Sequence, residues 1–486
     1  MDMSTSTPSG NSANPAAAAA DTVRAQVAAC VARAREAQRA YDNFTQEQVD
    51  EVVLAVGWAI MEPSRNRALA ELAVADTGLG NVEDKVIKNH RKTLGLLRDL
   101  RGSKSVGVIS EDKAKGVIEI ARPVGVVGAV TPSTNPAATP ANKILNALKG
   151  RNAIILSPSP KGYSTSTLLL RYIADELDRI GAPRDLVQQL PAPVSKAATL
   201  ELMRQVDLVV VTGSQNNVRA AYESGTPAIG VGAGNVAVIV DETADAAQAA
   251  NKIRRSKTFD NATSCSSENS VVIVDAMYDA MLQALAAEGG VLLDAAQKQR
   301  LQQTMWPSGK LSPAVTAKAA PVIAALAGLQ GPRFETARFL MVEDSGVGHD
   351  HPFSGEKLSP VLTVYRARDF EHAQQIVRAI YAHEGAGHSI GLHSQRPERA
   401  MQLGLGMPAC RVIVNQAHCF ATGGSFDNGL PFSLSMGCGT WGRNSISDNL
   451  NYKHFLNITR IASPCTPDEP SIDDMFGAYR RRHGLD

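Results

Sequence analysis

Over residues 124–240, apolar runs of strand length alternate with segments of helical spacing. That alternation restricts the fold more than any other feature of the chain. Residues 124–130, 153–156, 186–190 and 207–211 read as strands; residues 140–149, 164–180 and 217–223 read as helices. Strand and helix in turn build βαβ units, and such units pair into a parallel sheet. A further strand is predicted at 236–240, after a glycine-rich turn. The cycle resumes beyond about residue 250, with strands at 270–274, 339–342, 389–392 and 411–414 and helices at 276–288, 295–305 and 370–382. With 486 residues the chain can bury more than one core. The predicted class is α/β, with one unit over residues 21–245, a second over 246–430 and a C-terminal return over 431–486.

The flanks differ. Residues 1–20 are mostly Ser, Thr, Asn, Pro and Ala, can bury little, and are expected to be disordered. Residues 22–100 follow helical spacing, as in Val49, Val52, Val53 and Val56. Residues 105–122 read as a β-hairpin arm around the polar turn Glu111-Asp112-Lys113.

A net charge of +1, with neither sign gathered into a long block, argues against nucleic acid or an anionic membrane as partner. The six cysteines are scattered without a CxxC pair and read as reduced thiols of a cytoplasmic protein, not as a zinc site or disulfide framework. No signal peptide or bilayer-length apolar run is legible.

The chemistry concentrates around Cys265. It lies in Ala262-Thr263-Ser264-Cys265-Ser266-Ser267-Glu268, a run of small hydroxyl residues after a helix-like segment, which suits attack better than packing. A lone cysteine is also consistent with a small buried hydrophobe. Upstream, Thr131-Pro132-Ser133-Thr134-Asn135-Pro136 offers Asn135 as a donor for an oxygen that becomes negative, although Asn-Pro is also an ordinary turn. Thr212-Gly213-Ser214 ends a strand and opens a helix, where backbone N–H groups can meet a phosphate or carboxamide, or where Ser214 simply caps. The run Gly230-Val231-Gly232-Ala233-Gly234-Asn235 lacks the third glycine of a dinucleotide fingerprint and leads into a strand; a tight turn against a ligand or another backbone fits it equally. His383-Glu384-Gly385-Ala386-Gly387-His388 is one residue too long for HExxH, and its glycines spoil the helix, so no metal is expected; His388 remains a candidate pocket residue. Glu356 is a candidate for bridging ribose hydroxyls.

These segments, with Arg122-Pro123-Val124-Gly125, Pro227-Ala228-Ile229-Gly230, Glu356-Lys357-Leu358-Ser359-Pro360 and Met436-Gly437-Cys438-Gly439-Thr440-Trp441-Gly442, recur in the order seen in a known family. The chain resembles the aldehyde dehydrogenase superfamily over residues 25–460, and within it the CoA-acylating branch related to bifunctional aldehyde–alcohol dehydrogenases. The resemblance implies a Rossmann-type dinucleotide domain over 21–245, a catalytic cysteine domain over 246–430, and oligomerisation through the arm and the C-terminal segment. It implies Cys265 as nucleophile, Asn135 and the Cys265 N–H as oxyanion site, and Glu356 as nicotinamide-ribose contact. Thr131, Pro132, Ser157, Ser159, Lys161, Thr212, Gly213, Ser214 and Gly232 fall where that fold touches the dinucleotide.

Hydrolytic members of that family carry a glutamate before their paired glycines; here the stretch reads Ile229-Gly230-Val231-Gly232. Without a base for water, a thiol is the easier acceptor, because a free thiol with a pKa of about 8.5 is already partly thiolate near neutrality. The expected reaction is acyl transfer to CoA. The turn Ser157-Pro158-Ser159-Pro160-Lys161 has no acid and favours NADP, with NAD as the alternative. Overall likeness points to sulfoacetaldehyde as the aldehyde and sulfoacetyl-CoA as the product; acetaldehyde and succinate semialdehyde are the alternatives. Arg254 and Arg255 are candidate sulfonate partners, with a surface role the simpler reading. Hydrolytic oxidation and an inactive scaffold are the rival classes. A homodimer or homotetramer is expected.

Overall fold

The structure is a computed structural model that describes residues 15–232 and 234–485, and three sheets organise it. Residues 1–14 of the expected disordered segment lie outside the described residues. Residues 15–20, assigned to that segment, instead open the helix Pro15–Tyr41, as the strong helix preference of an alanine run requires. Three more helices come next, Gln46–Met61, Pro63–Thr77 and Val82–Leu100. Thr45 and Gln48 close a reciprocal capping box at the start of the first of these, which buries Val49, Val52, Val53 and Val56 as the spacing requires.

The arm is a hairpin of β1 (Gly107–Asp112) and β2 (Val117–Pro123). A five-stranded parallel sheet then forms from β3 (Val126–Thr131), β4 (Ala153–Pro158), β5 (Val187–Gln189), β6 (Leu208–Thr212) and β7 (Ala228–Val231), in the order β5-β4-β3-β6-β7. The chain winds outward from β3 to β5 and then returns to the other side of β3. The strand order therefore reverses between β3 and β6, and the crevice beyond their C-terminal ends is the place where such sheets bind ligands. Fully buried Lys143 donates to Val130 O (2.8 Å) and Val210 O (3.0 Å), tying those two ends together.

The second sheet has seven parallel strands: β8 (Val236–Val240), β9 (Glu268–Val274), β10 (Gly290–Leu292), β11 (Phe339–Glu343), β12 (Val361–Ala367), β13 (Ile390–His393) and β14 (Val412–Val414), ordered β10-β11-β12-β9-β8-β13-β14. Residues 236–245, assigned by sequence to the first unit, open the second instead. All five residues of β8 are buried, and it pairs with β9 on one side and β13 on the other. The two sheets thus part at 232–235. β15 (Leu456–Ala462) crosses back to pair antiparallel with β2, from Leu456↔Pro123 to Ala462↔Val117, completing a three-stranded arm. Among the described residues, no helix is long and apolar enough to cross a membrane.

Candidate active site

Opposite ends of the two sheets meet. The five-stranded sheet contributes the loops beyond the C-terminal ends of β3 and β6: Pro132 and Asn135 after one, Gly213 and Ser214 after the other. The seven-stranded sheet contributes residues just ahead of its strands: Gly234 before β8, Cys265 before β9, Glu356 before β12, His388 before β13. Between them lies a cavity of about 290 Å³, lined by Asn135, Thr212, Gly213, Ser214, Cys265 and Glu356, with Pro132 and Gly232 at its edge.

Cys265 sits on the turn between the helical segment Phe259–Ala262 and β9. The approach is unusual: Asp260, Asn261 and Ala262 all take positive φ, 50°, 51° and 59°. Three non-glycine residues in this region are costly and must be held by their surroundings. The Asp260 carboxylate does so. It accepts from Lys85 Nζ (3.1 Å), Lys88 Nζ (2.5 Å), Thr263 Oγ1 (2.6 Å) and Asn81 N (3.0 Å). Those lysines hold its pKa below the usual range against the effect of burial.

Lys88 also donates to Asn135 Oδ1 at 2.8 Å. With the amide oxygen engaged, Asn135 Nδ2 is turned to the other side, where its only protein partner among the described residues is Thr134 Oγ1 at 3.5 Å. Asn135 O accepts from Thr139 N (3.2 Å) at the start of the helix Ala138–Lys149, which fixes the backbone. Asn135 and Cys265 line the same cavity.

The thiol rests protonated. Burial, Glu356 and Cys438 push its pKa to about 12. A base is adjacent: Cys265 Sγ lies 3.5 Å from His388 Nε2. Burial and Arg411 lower the His388 pKa to about 3, so the ring is neutral and can accept. Its Nδ1 is 2.7 Å from Ser389 Oγ, which is 2.8 Å from His418 Nε2. When Nδ1 carries the proton and donates to Ser389, Nε2 is the free acceptor facing the sulfur.

Among the described residues Glu356 has one carboxylate oxygen, Oε1, buried without a side-chain partner, and its pKa is raised to about 8 by burial and by Glu384, with the Gly234 N–H opposing them. A buried acceptor of this kind fits a ribose diol. Gly213 fits the same ligand: with φ at 157°, a Cβ there would meet nothing nearer than Asn217 Nδ2 at 3.9 Å, so the backbone stands open to the cavity. Thr131, the last residue of β3, is buried and accepts from Ser159 N (3.1 Å). Ser157 pairs with Thr199 Oγ1 (2.8 Å), while Ser159 and Lys161 lie on the turn beyond β4; these three are not brought to the cysteine cavity.

The histidine–glutamate segment disperses. His383 packs edge-on against His349, Glu384 accepts from Glu356 N (2.8 Å), and His388 faces Cys265. Lys85, Lys88 and Lys92 carried no weight in the sequence reading, yet all three line or brace the site. Their spacing of three and four residues, on one face of the helix Val82–Leu100, was the available signal. Arg254 pairs with Glu288 (2.6 Å) and Arg255 lies over Phe420; neither lines the cavity.

The aldehyde dehydrogenase family profile matches residues 3–325. The chain belongs to the aldehyde dehydrogenase family. This aldehyde dehydrogenase is 64% identical over 470 residues to the acylating sulfoacetaldehyde dehydrogenase of Cupriavidus necator, covering 97% of this chain and 94% of that one. It matches the solved acetylating aldehyde dehydrogenase of Geobacillus thermoglucosidasius with a TM-score of 0.89 and 35% identity, over 93% of this chain and 99% of that one. A Rhodopseudomonas palustris propionaldehyde dehydrogenase, solved with bound CoA and an acylated cysteine, matches with a TM-score of 0.81 and 25% identity, over 90% of this chain and 97% of that one.

Proposed function

We propose that this aldehyde dehydrogenase oxidises sulfoacetaldehyde and delivers the acyl group to CoA, making sulfoacetyl-CoA. The observation that carries the chemistry is the Cys265 sulfur beside a neutral His388, with the oriented Asn135 amide lining the same cavity. His388 Nε2 takes the thiol proton as Sγ adds to the aldehyde carbon. The oxyanion that forms is held by Asn135 Nδ2 and the Cys265 N–H. A nicotinamide dinucleotide, when bound, supplies the acceptor for the hydride that leaves this adduct. Glu356, Thr212, Gly213 and Ser214 are the residues that would hold it. Cys265 is left as a thioester. His388 releases its proton to solvent, takes the proton of the CoA thiol as that sulfur attacks the thioester carbon, and returns it to the Cys265 sulfur as it leaves. One thioester replaces another, so the step is near balance and runs both ways. The stretch Ile229-Gly230-Val231-Gly232, which the family resemblance sets against the glutamate-bearing stretch of hydrolytic members, has no carboxylate, which leaves water without that base.

Within this reading the five-stranded unit carries the dinucleotide, and Ser159 with Lys161 beyond β4 favours NADP. NAD is the second reading, supported by Asp76. Its carboxylate accepts from Ser164 Oγ (2.5 Å) and Thr165 N (3.0 Å) at the start of the helix Tyr163–Arg179, where it would repel a 2′-phosphate. The arm and β15 would serve a homodimer or homotetramer. Initial rates with sulfoacetaldehyde, acetaldehyde and succinate semialdehyde, each with and without CoA and with either dinucleotide, test the proposal. Reduced dinucleotide should accumulate with CoA present, and fastest from sulfoacetaldehyde. Full turnover without CoA, or a preference for acetaldehyde, would reject it.

A further inference from the structure

The helix Val82–Leu100 buries cations next to apolar Leu96 and Leu100. It buries Lys85, Lys88 and Lys92 and leaves Ile87 and Leu94 at 49% and 40% exposure. Burying an ammonium is expensive unless an anion compensates it. Lys85 and Lys88 have one, the Asp260 carboxylate. Lys92 does not. Among the described residues its hydrogen-bond partner is a neutral carbonyl, Gly423 O at 2.6 Å, and its other neighbour is the Phe432 ring, 5.5 Å from Nζ to centroid. Arg91 and Lys88 are like charges that repel it, and the nearby Cys419 and Cys265 are protonated thiols that bring no counter-charge. Lys92 lines the cavity that holds Cys265.

We propose that Lys92 is the cation of a sulfonate subsite, and that the subsite selects an aldehyde whose sulfonate lies one carbon from the carbonyl. An ammonium has three N–H donors, and the Gly423 carbonyl takes one. Thr139, Ser264 and Ser266 line the same cavity and bring hydroxyl groups. A sulfonate offers three acceptor oxygens and stays ionised throughout the range in which the enzyme works. Bound here, it supplies the missing counter-charge; a neutral aldehyde leaves the ammonium uncompensated. The short spacer follows from geometry: Lys92 and Cys265 line the same cavity of about 290 Å³, so one small molecule can meet both. Gly423 has to be glycine for Lys92 to reach this position, since a Cβ there would lie 2.8 Å from Nζ and 2.5 Å from Ser433 O. This inference deepens the proposed function and rests on it.

The test is the ratio of kcat/KM for sulfoacetaldehyde to kcat/KM for acetaldehyde in the full-length enzyme. Lys92→Met should lower that ratio by about 10²- to 10³-fold, the usual cost of removing one partner of a buried charge pair. An unchanged ratio overturns the subsite. A second measurement needs no variant: ethanesulfonate should slow iodoacetamide labelling of wild-type Cys265, and uncharged methyl ethyl sulfone should not. Equal protection by the two also overturns the subsite. These failures are distinct from failure of the parent reading. A wild-type enzyme that prefers acetaldehyde removes the substrate assignment itself, whereas one that prefers sulfoacetaldehyde, with an unchanged ratio in the variant, removes only the role of Lys92.

Discussion

At the scale of single residues, the site works by leaving one side of each polar group unspent. Lys88 holds the Asn135 oxygen, so the amide nitrogen is the part left for substrate. Asn135→Asp keeps the shape and the bond to Lys88 but removes the donor. Its kcat should fall about 10²- to 10³-fold, with protein stability nearly unchanged, as steady-state kinetics and thermal unfolding would report. Lys92 adds a pH signature. Burial, with the like charges of Arg91 and Lys88, brings its pKa down to about 7. A sulfonate binds the protonated form, so the sulfoacetaldehyde-to-acetaldehyde ratio should fall as pH rises through about 7 and level off below it; the ratio cancels the titration of Cys265 and His388. Cys265, Asn135 and Glu356 were weak signals one by one and were named through the ordered set of family segments; the fold lines one cavity with all three. His388 was left as a minor candidate because its partner, Cys265, is 123 positions away in sequence. The lysines were passed over for the same reason: Lys88 meets Asp260 across 172 positions, and only the fold shows that this face turns inward.

At the scale of elements, the glycines in the 230–235 run mark close approaches of neighbouring segments. Gly230 sits within β7 because the helix Gln215–Glu223 packs on it: a Cβ would lie 2.6 Å from Val218 Cγ1. That strand was read as part of a turn because glycine weakens the strand pattern. β12 escaped prediction altogether because it begins directly after the Glu356-Lys357-Leu358-Ser359-Pro360 motif, which draws attention as chemistry instead of as the entry to a strand. Gly234 faces the site. A Cβ there would lie 2.7 Å from Cys265 O and 2.8 Å from His388 Cδ2. Gly234→Ala should therefore shift the nucleophile turn away from its base and lower kcat with a smaller change in KM. A crystal structure of the variant should show the Cys265–His388 distance lengthened beyond 3.5 Å; normal kinetics with that distance kept would contradict the assignment. Nine of the twelve parallel strands were read, because period changes survive in the sequence wherever both faces of a parallel sheet are covered.

At the scale of the whole molecule, two parallel sheets present opposite ends to one cavity, and β15 returns to the arm from the far end of the chain. The sequence showed two α/β units but not their junction, because β8 differs from the strands before it only in its pairing partners, which are non-local. The arrangement brings a loop from each sheet to one sulfur, and the account stands on the fate of that atom. Full-length enzyme should be mixed with sulfoacetaldehyde and dinucleotide without CoA, quenched and digested, and the peptide carrying Cys265 weighed. It should carry the mass of a sulfoacetyl thioester, and CoA added before the quench should remove that mass and release sulfoacetyl-CoA. An unmodified Cys265 peptide alongside reduced dinucleotide, or sulfoacetate released without CoA, would contradict the account.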